Sequence, residues 1–225
     1  MQALEELERM DSIALNKDQD KTHVKIISLN VCSLRKHISD ISHDYDIKSS
    51  NVICLQETWL YEDEQYMNLY QFQNRLSNFF PCGRGKGIAT YFTSEFEVEN
   101  IISNPLYQVT KITSPDMDIL NVYRSNNASS TFIEDLKDML TENIDKTTLL
   151  CGDLNFCANK HPKHPIKVFL EKLKFVQLIE KPTHIDGGVL DHVYLLCKEP
   201  QRVHTKMKGC YYSDHDKNVI LFEKH

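Results

Sequence analysis

Apolar residues fall along this chain in two kinds of run. VKIISLNV (24–31) and NVICLQE (51–57) are nearly continuous, as strands buried on both faces are. Between them, LRKHISDISHDYDIKSS repeats its apolar positions at Leu34, Ile38, Ile41 and Tyr45, the period of an amphipathic helix, with Ser33 placed to cap it. The opening therefore predicts β–α–β around an interior sheet. GRGKGIATYFT (83–93) leads through glycines into another strand, and FEVENIIS, YQVTKITS and MDILNVYRS follow at the short spacing of an antiparallel meander. STFIEDLKDMLTENI (130–144) predicts a helix with Phe132, Leu136, Met139 and Leu140 on one face and a Thr131–Glu134 capping box. The strand TTLLCGDLN, a helix over about 166–174, and the strands LDHVYLL (190–196), RVHTKMKGCYY and NVILFE complete the pattern. Two β-rich halves, each with helices, predict an α+β fold: two mixed sheets packed face to face with helices outside. Residues 24–225 read as a single domain, and 1–23 as an acidic leader, either a short helix or frayed.

Composition narrows the class. At 225 residues, 41% hydrophobic and 26% charged, the chain is an ordinary globular one, and no apolar run reaches the ~18 residues that span a membrane. The seven cysteines are odd in number and lack any CxxC pair, which suits a reducing compartment. Together with an N-terminus unlike a signal peptide, they point to an intracellular protein. Cys151, Cys157, His161 and His164 gather soft ligands, but at a spacing that matches no zinc module. A net charge of −6 argues against binding nucleic acid by bulk electrostatics. Charge is uneven, though. Glu62, Asp63 and Glu64 are acidic, whereas Lys160, Lys163 and Lys167 in one run and Arg202, Lys206 and Lys208 in another form either a phosphate-facing rim or two solvated surfaces.

Chemistry collects at the strand ends. GDLN places Asp153 and Asn155 two apart, which in an extended chain puts both side chains on the same edge. NVICLQETWL delivers Glu57, KIISLNVCSL delivers Asn30, and DILNVYRS delivers Tyr123 and Arg124. GVLDHVYLL puts Asp191 at the start of a strand, and YYSDHDKNVI puts Ser213, Asp214 and His215 just before the last one. One carboxylate at a strand end is a turn former. Six such ends suggest one rim. His192 reads as an outward strand residue or a site residue, Trp59 as core or a base-stacking platform, and Arg124 as a phosphate ligand or a brace.

LNV, LQETW, VYR, GDLN, LDHVY and SDH, in that order over about residues 24–222, resemble the motif series of the exonuclease–endonuclease–phosphatase (DNase I-like) superfamily. NVCSLRKH, LQETWL, GRGKGIATYF, VYRSNN and KPTHIDGGVLDHVYL are most similar to the endonuclease domains of mobile elements, the non-LTR retrotransposons and Helitron relatives. The resemblance implies a four-layered α/β/β/α sandwich and a magnesium-dependent DNA endonuclease, with Mn2+ as a substitute metal, that leaves a 3′-hydroxyl. It implies Glu57 as the metal carboxylate, helped by Asp214 and Asn30, and Asp153 as the general base. Asn155 would orient the water or bind phosphate, and His215, held by Asp191, would donate to a phosphate oxygen. Tyr123 would also bond the phosphate, with Arg124, Ser213, Thr183, Lys163 and Lys206 as further substrate contacts.

A reverse transcriptase or helicase, fused or separate, is the partner that resemblance implies. A DNA substrate implies the nucleus if the host is eukaryotic. Other superfamily chemistries stay open: a tyrosyl-DNA phosphodiesterase, RNA deadenylase or lipid phosphatase, or a DNA-binding derivative without catalysis. Two departures stand out. Apurinic endonucleases carry an acidic residue two after the strand-end Asn, where this chain has Cys32. The segment between Lys181 and Asp191 is short, leaving little room for a long DNA-probing hairpin.

Overall fold

The structure, a computed structural model, describes residues 22–60, 74–76 (backbone), 85–140 and 146–224. The greater part of the acidic leader and the Glu62–Glu64 run lie outside the described residues. The chain builds β1 (His23–Asn30), α1 (Leu34–His43), α2 (Tyr45–Lys48), β2 (Val52–Gln56), β3 (Asn74–Leu76) and β4 (Ile88–Phe92). The meander β5 (Glu97–Asn104), β6 (Tyr107–Thr113) and β7 (Met117–Arg124) follows, then α3 (Thr131–Met139), β8 (Thr147–Asp153) and α4 (Pro165–Lys172). After β9 (Val176–Gln177) and β10 (Asp191–Leu196), a 3-10 turn at Pro200–Arg202 leads into β11 (Val203–Lys208) and β12 (Lys217–Glu223).

Among the described residues the strands form two six-stranded sheets, ordered β11-β12-β1-β2-β4-β3 and β5-β6-β7-β8-β10-β9. Both are mixed: β1–β2 and β7–β8 run parallel, the other pairs antiparallel. Each parallel pair is bridged by helix, α1 and α2 in the first sheet and α3 in the second. The second sheet is drawn entirely from residues 97–196, so it is inserted between the two segments that make the first.

Strand alternation sets the layers. In β1, Val24 and Ile26 join the core between the sheets, while Ile27 and Leu29 pack with Leu34, Ile41 and Ile47 of α1 and α2. In β2, Val52 and Cys54 face inward and Ile53 and Leu55 outward. Phe132 and Leu136 of α3 and Ile166 and Leu170 of α4 are buried in the cluster that contains the second sheet. The α/β/β/α order read from the sequence is the order found. No helix among the described residues is long and apolar enough to cross a membrane.

Local details depart from the periodicity. Ser33 caps α1 by accepting from Lys36 N. The helix then breaks at Asp44, whose carboxylate caps α2 through Asp46 N and Ile47 N, so Tyr45 is turned outward and exposed. The Thr131–Glu134 capping box does not form: Ser130 holds the cap position, and the Thr131 hydroxyl lies against Ser129 and Tyr107. β3 and β9 were not signalled by the pattern.

One glycine is demanded by packing. Gly152 lies opposite Val122 across the β7–β8 pair at φ 138, and a Cβ there would sit 1.9 Å from the Val122 carbonyl oxygen. No side chain fits, which accounts for the glycine of GDLN.

Candidate active site

The core between the sheets is largely apolar, crossed by a buried bond from Gln56 Nε2 to Asn121 Oδ1 at 2.7 Å, and turns charged at the strand ends. β1 ends in Asn30 and β8 in Asp153, both buried, and Asn30 Nδ2 donates to Asp153 Oδ2 at 2.9 Å across the sheet interface. Asn155 reaches the same carboxylate by turning back rather than by running on extended. At φ 51 its backbone N–H donates to Asp153 Oδ1 at 2.7 Å and its Nδ2 to Oδ2 at 3.3 Å. The pair meets as the sequence implied, through a turn the spacing did not specify.

Asp191 opens β10 directly opposite Asp153 in register, and its Oδ2 lies 2.7 Å from His215 Nδ1. Ligand atoms of Asp153, Asp191 and His215 all fall within 4.8 Å of one another. Burial, then the charge of Asp191, pushes the Asp153 carboxyl up to about 8, against the pull of His215, Asn155 and Asn30. Burial alone would lower His215, but the hydrogen bond and charge of Asp191, followed by Asp153 and Asp214, raise it to about 9. Near neutral pH this gives a charged imidazolium beside a carboxyl that holds its proton for most of the time and gives it up as pH rises through about 8. Asp191 Oδ1 is buried and has no hydrogen-bond partner among the described residues.

A second, more open group flanks this one. The Cys32 thiol donates to Asp214 Oδ1 at 2.9 Å and feels the charge of Glu57. Burial, the Asp214 bond and the charges of Asp214 and Glu57 push that thiol far above its ordinary value, so it stays protonated. The loops are tied together, Ser33 N donating to Glu57 O and Leu34 N to Thr58 O. Of six non-glycine residues at positive φ among the described residues, five border the site: Cys32, Ser33, Glu57, Trp59 and Asn155. Such backbone persists only where its surroundings hold it.

The donor set can be tested against a hard divalent cation. Two carboxylates outside the core, one of them half-exposed, leave room for the waters Mg2+ retains, and the neighbouring thiol is not a competing thiolate. The residues fit.

Other expected contacts divide. Tyr123 stands opposite Asp153 in the β7–β8 register, and its hydroxyl donates to Gly85 O at 2.6 Å. Arg124 is a brace: buried, it donates from Nη1 to Leu154 O and from Nη2 to Ala128 O, both at 3.2 Å. Ser213 is a fastener, its hydroxyl donating to Asn30 O at 2.7 Å and accepting from His215 N at 3.1 Å. Thr183 is buried and cannot touch a nucleic acid; its hydroxyl accepts from Leu190 N and Asp191 N, setting the start of β10. Trp59 donates from Nε1 to Glu57 Oε2 at 3.1 Å and belongs to the site's support. His192 lies on the face of β10 opposite to Asp191, buried on the α4 side and stacked between Phe156 and Tyr194, with burial lowering it to about 4.

The six-cation rim does not assemble. Sheet register puts Arg202 at the far end of β11, donating to Glu199 and to Glu223 O and lying over Phe222. Lys208 is turned to Asp46 at 2.9 Å, and Lys167 faces Glu171 at 3.9 Å. Lys160 and Lys163 are exposed in the loop leading from Asp153 to α4, and Lys206 is half-buried opposite Val219. The soft-ligand group also disperses: Cys151 faces Cys54 in the core, and His164 caps α4 and stacks on Phe156.

Sequence reasoning missed His184. Its ring packs edge-on against His215 at 4.7 Å between centroids, and its Nε2 lies 3.5 Å from Asp214 Oδ2. It arrives through an isolated bridge pairing with His215, a long-range contact with no local signal.

No family model and no curated protein sequence matches the chain. Solved structures do. The endonuclease domain of TRAS1, a telomere-specific non-LTR retrotransposon, superposes with a TM-score of 0.66 at 13% identity, covering 89% of this chain and 98% of that one. The AP endonuclease LMAP from Leishmania major gives 0.70 at 16% identity, covering 91% and 89%. The 3′ phosphatase NExo from Neisseria, bound to a product DNA hairpin, gives 0.68 at 17% identity, covering 89% and 99%. Identities this low establish architecture: the chain has the DNase I-like exonuclease–endonuclease–phosphatase fold.

Proposed function

We propose that this DNase I-like chain is a metal-dependent phosphodiesterase acting on DNA, an endonuclease that nicks one strand and leaves a 3′-hydroxyl. One observation carries the reading. Asp153 is fixed between Asn30 and Asn155, with the Asp191–His215 pair beside it, on strand ends from both sheets. The structural neighbours, whose names describe nucleases and a phosphatase, support the same chemistry.

The residues divide the work. Asp153, pushed up to about 8, is a strong base in its ionised form, a form that grows as pH rises through that value, and Asn30 and Asn155 fix its two oxygens. His215, charged and held through Nδ1 by Asp191, presents Nε2–H to a phosphate oxygen as negative charge builds there. The buried Asp191 prevents the ring from turning. Glu57 and Asp214 would hold the cation, Mg2+ with Mn2+ as a substitute. When bound, that ion withdraws charge from the phosphate oxygens.

The motif series and the likeness to the TRAS1 domain support a mobile-element origin, with a fused or separate reverse transcriptase or helicase as partner and the nucleus of a eukaryotic host as the place of action. Nicking of supercoiled plasmid with Mg2+ and with EDTA tests the activity. Asp153→Ala should retain the fold by circular dichroism and lose about 10³-fold or more in rate. Turnover of RNA, a tyrosyl-DNA end or a phosphoinositide without plasmid nicking would transfer the site to another phosphoester, and wild-type rates in Asp153→Ala would remove the assignment.

A further inference from the structure

Where apurinic endonucleases carry an acidic residue this chain has Cys32, and the exchange changes what the mouth of the site can hold. Among the described residues, ligand atoms of Cys32, Asp214 and His215 lie within 4.8 Å of one another. Cys32 Sγ is 2.9 Å from Asp214 Oδ1, and His215 Nε2 is 3.9 Å from the same oxygen. Ligand atoms bound roughly 2.0–2.3 Å from a tetrahedral ion stand about 3.3–3.8 Å apart, so small side-chain rotations would seat one. The set is a thiol, an imidazole and a carboxylate, all donors that Zn2+ accepts, and three protein ligands leave a fourth position for water.

Each part of this set is supported from behind. His215 Nδ1 lies 2.7 Å from Asp191 Oδ2, which leaves Nε2 as the coordinating atom of a carboxylate–histidine–metal arrangement. His184 supports Asp214. Asp186 N donates to His184 Nδ1 at 3.1 Å, so the neutral ring carries its proton on Nε2, 3.5 Å from Asp214 Oδ2. That partner occupies Oδ2 and leaves Oδ1, the oxygen beside the Cys32 thiol, for an ion. The two ligand loops are fastened to β1: the Ser213 hydroxyl donates to Asn30 O at 2.7 Å and accepts from His215 N at 3.1 Å, while Cys32 N donates to Asn30 Oδ1 at 3.2 Å. Half of the Asp214 side chain is exposed, so an ion can enter.

We infer that Cys32, Asp214 and His215 form a Zn2+ site that switches this chain off, separate in ligand set and effect from the hard-cation group of Glu57 and Asp214. Binding exchanges two protons, from the Cys32 thiol and from His215 Nε2, for the ion. Thiolate and imidazole favour Zn2+ over Mg2+, which takes oxygen ligands. Once bound, Zn2+ takes the place of the Nε2–H that faces the phosphate and claims the Asp214 carboxylate, so the two cations exclude each other. The inhibition rests on the phosphodiesterase reading above; the binding does not.

The test titrates Zn2+ into metal-free protein against a chromophoric chelator, with Co2+ as the spectroscopic probe. Wild type should bind Zn2+, and Co2+ should give the near-ultraviolet charge-transfer band of a thiolate ligand. Cys32→Ser, folded by circular dichroism, should lose that band and about tenfold or more in Zn2+ affinity, and His184→Ala should keep the band while losing about tenfold in affinity. Replacing Cys197 and Cys210, the other half-buried thiols among the described residues, by serine should leave both readouts as in wild type. In plasmid nicking at fixed Mg2+, Zn2+ should inhibit the wild type, and Cys32→Ser should need about tenfold more Zn2+ to halve its own zinc-free rate. An unchanged band or affinity in Cys32→Ser, or equal inhibition of the two proteins, would overturn the inference. If wild type binds Zn2+ through Cys32 yet nicks nothing in Mg2+ alone, the nuclease reading fails and the inhibition with it, while the zinc site holds.

Discussion

Replacing Gly152 by alanine puts a methyl group where the Val122 carbonyl already is. The Cβ would lie 1.9 Å from that oxygen, and contacts under 3.0 Å are essentially never seen, so β8 must withdraw by about 1 Å (3.0 − 1.9). A φ of 138 adds strain of order 1–3 kcal/mol for any side chain. Withdrawing the strand weakens the ladder bonds around the Val122–Gly152 pair, at about 0.5–1.5 kcal/mol each. The sum is about 3–5 kcal/mol, a large part of the ~5–15 kcal/mol a domain possesses. Asp153 is the next residue, so a shift of this size carries its 2.9 Å bond from Asn30 beyond hydrogen-bonding range. Urea unfolding followed by circular dichroism should show the loss, and plasmid nicking should fall even where the variant remains folded. Gly187→Ala is the control, because its Cβ meets nothing within 4 Å and only the φ penalty of about 1 kcal/mol applies. A Gly152→Ala protein within about 1 kcal/mol of wild type would refute the close-approach argument.

Asp191→Asn should leave the fold intact, reduce nicking by about 10²–10⁴-fold, and lower the His215 titration from about 9 when followed by imidazole resonances. Glu57→Gln and Asp214→Asn should each diminish the rise in melting temperature that Mg2+ gives the wild type; an undiminished rise in the double variant places the cation elsewhere. His192, lowered to about 4 by burial, makes stability depend on pH. Between roughly 6.5 and 4 the unfolded state binds a proton the native one refuses, so stability falls with falling pH, by up to about 3 kcal/mol. That slope, measured in EDTA, should be missing from the difference curve of His192→Gln.

What the sequence displayed was whatever depends on alternation. Val24, Ile26, Ile27 and Leu29 declare a two-sided strand, and Asn30 marks where its apolar run stops. Asp153, Asp191 and His215 were readable because charged groups that interrupt apolar runs need a reason to be there. Positions set by register were not readable. Thr183 lay beside candidate site residues and proved to fasten Asp191, while Arg202 followed a lysine-rich rule that strand pairing overrode. Tyr45 kept the helical period, but the carboxylate of Asp44 ended the helix one residue before it. His184 was hidden because its partner is thirty-one residues away and the two meet only by bridge pairing.

The nesting of one sheet inside the other bears on biosynthesis. Residues 97–196 can close their sheet as soon as they are made, whereas β1 must wait for β12, its antiparallel neighbour. Asn30 is the earliest of the site residues to be synthesised and His215 the latest, and the Ser213–Asn30 bond that joins their ends spans 183 residues. Long-range closure of this kind is slow, and it leaves the waiting strand edges open to chaperones or to aggregation. The same delay keeps His215 away from Asp191 and Asp153 until the segment before β12 has been made.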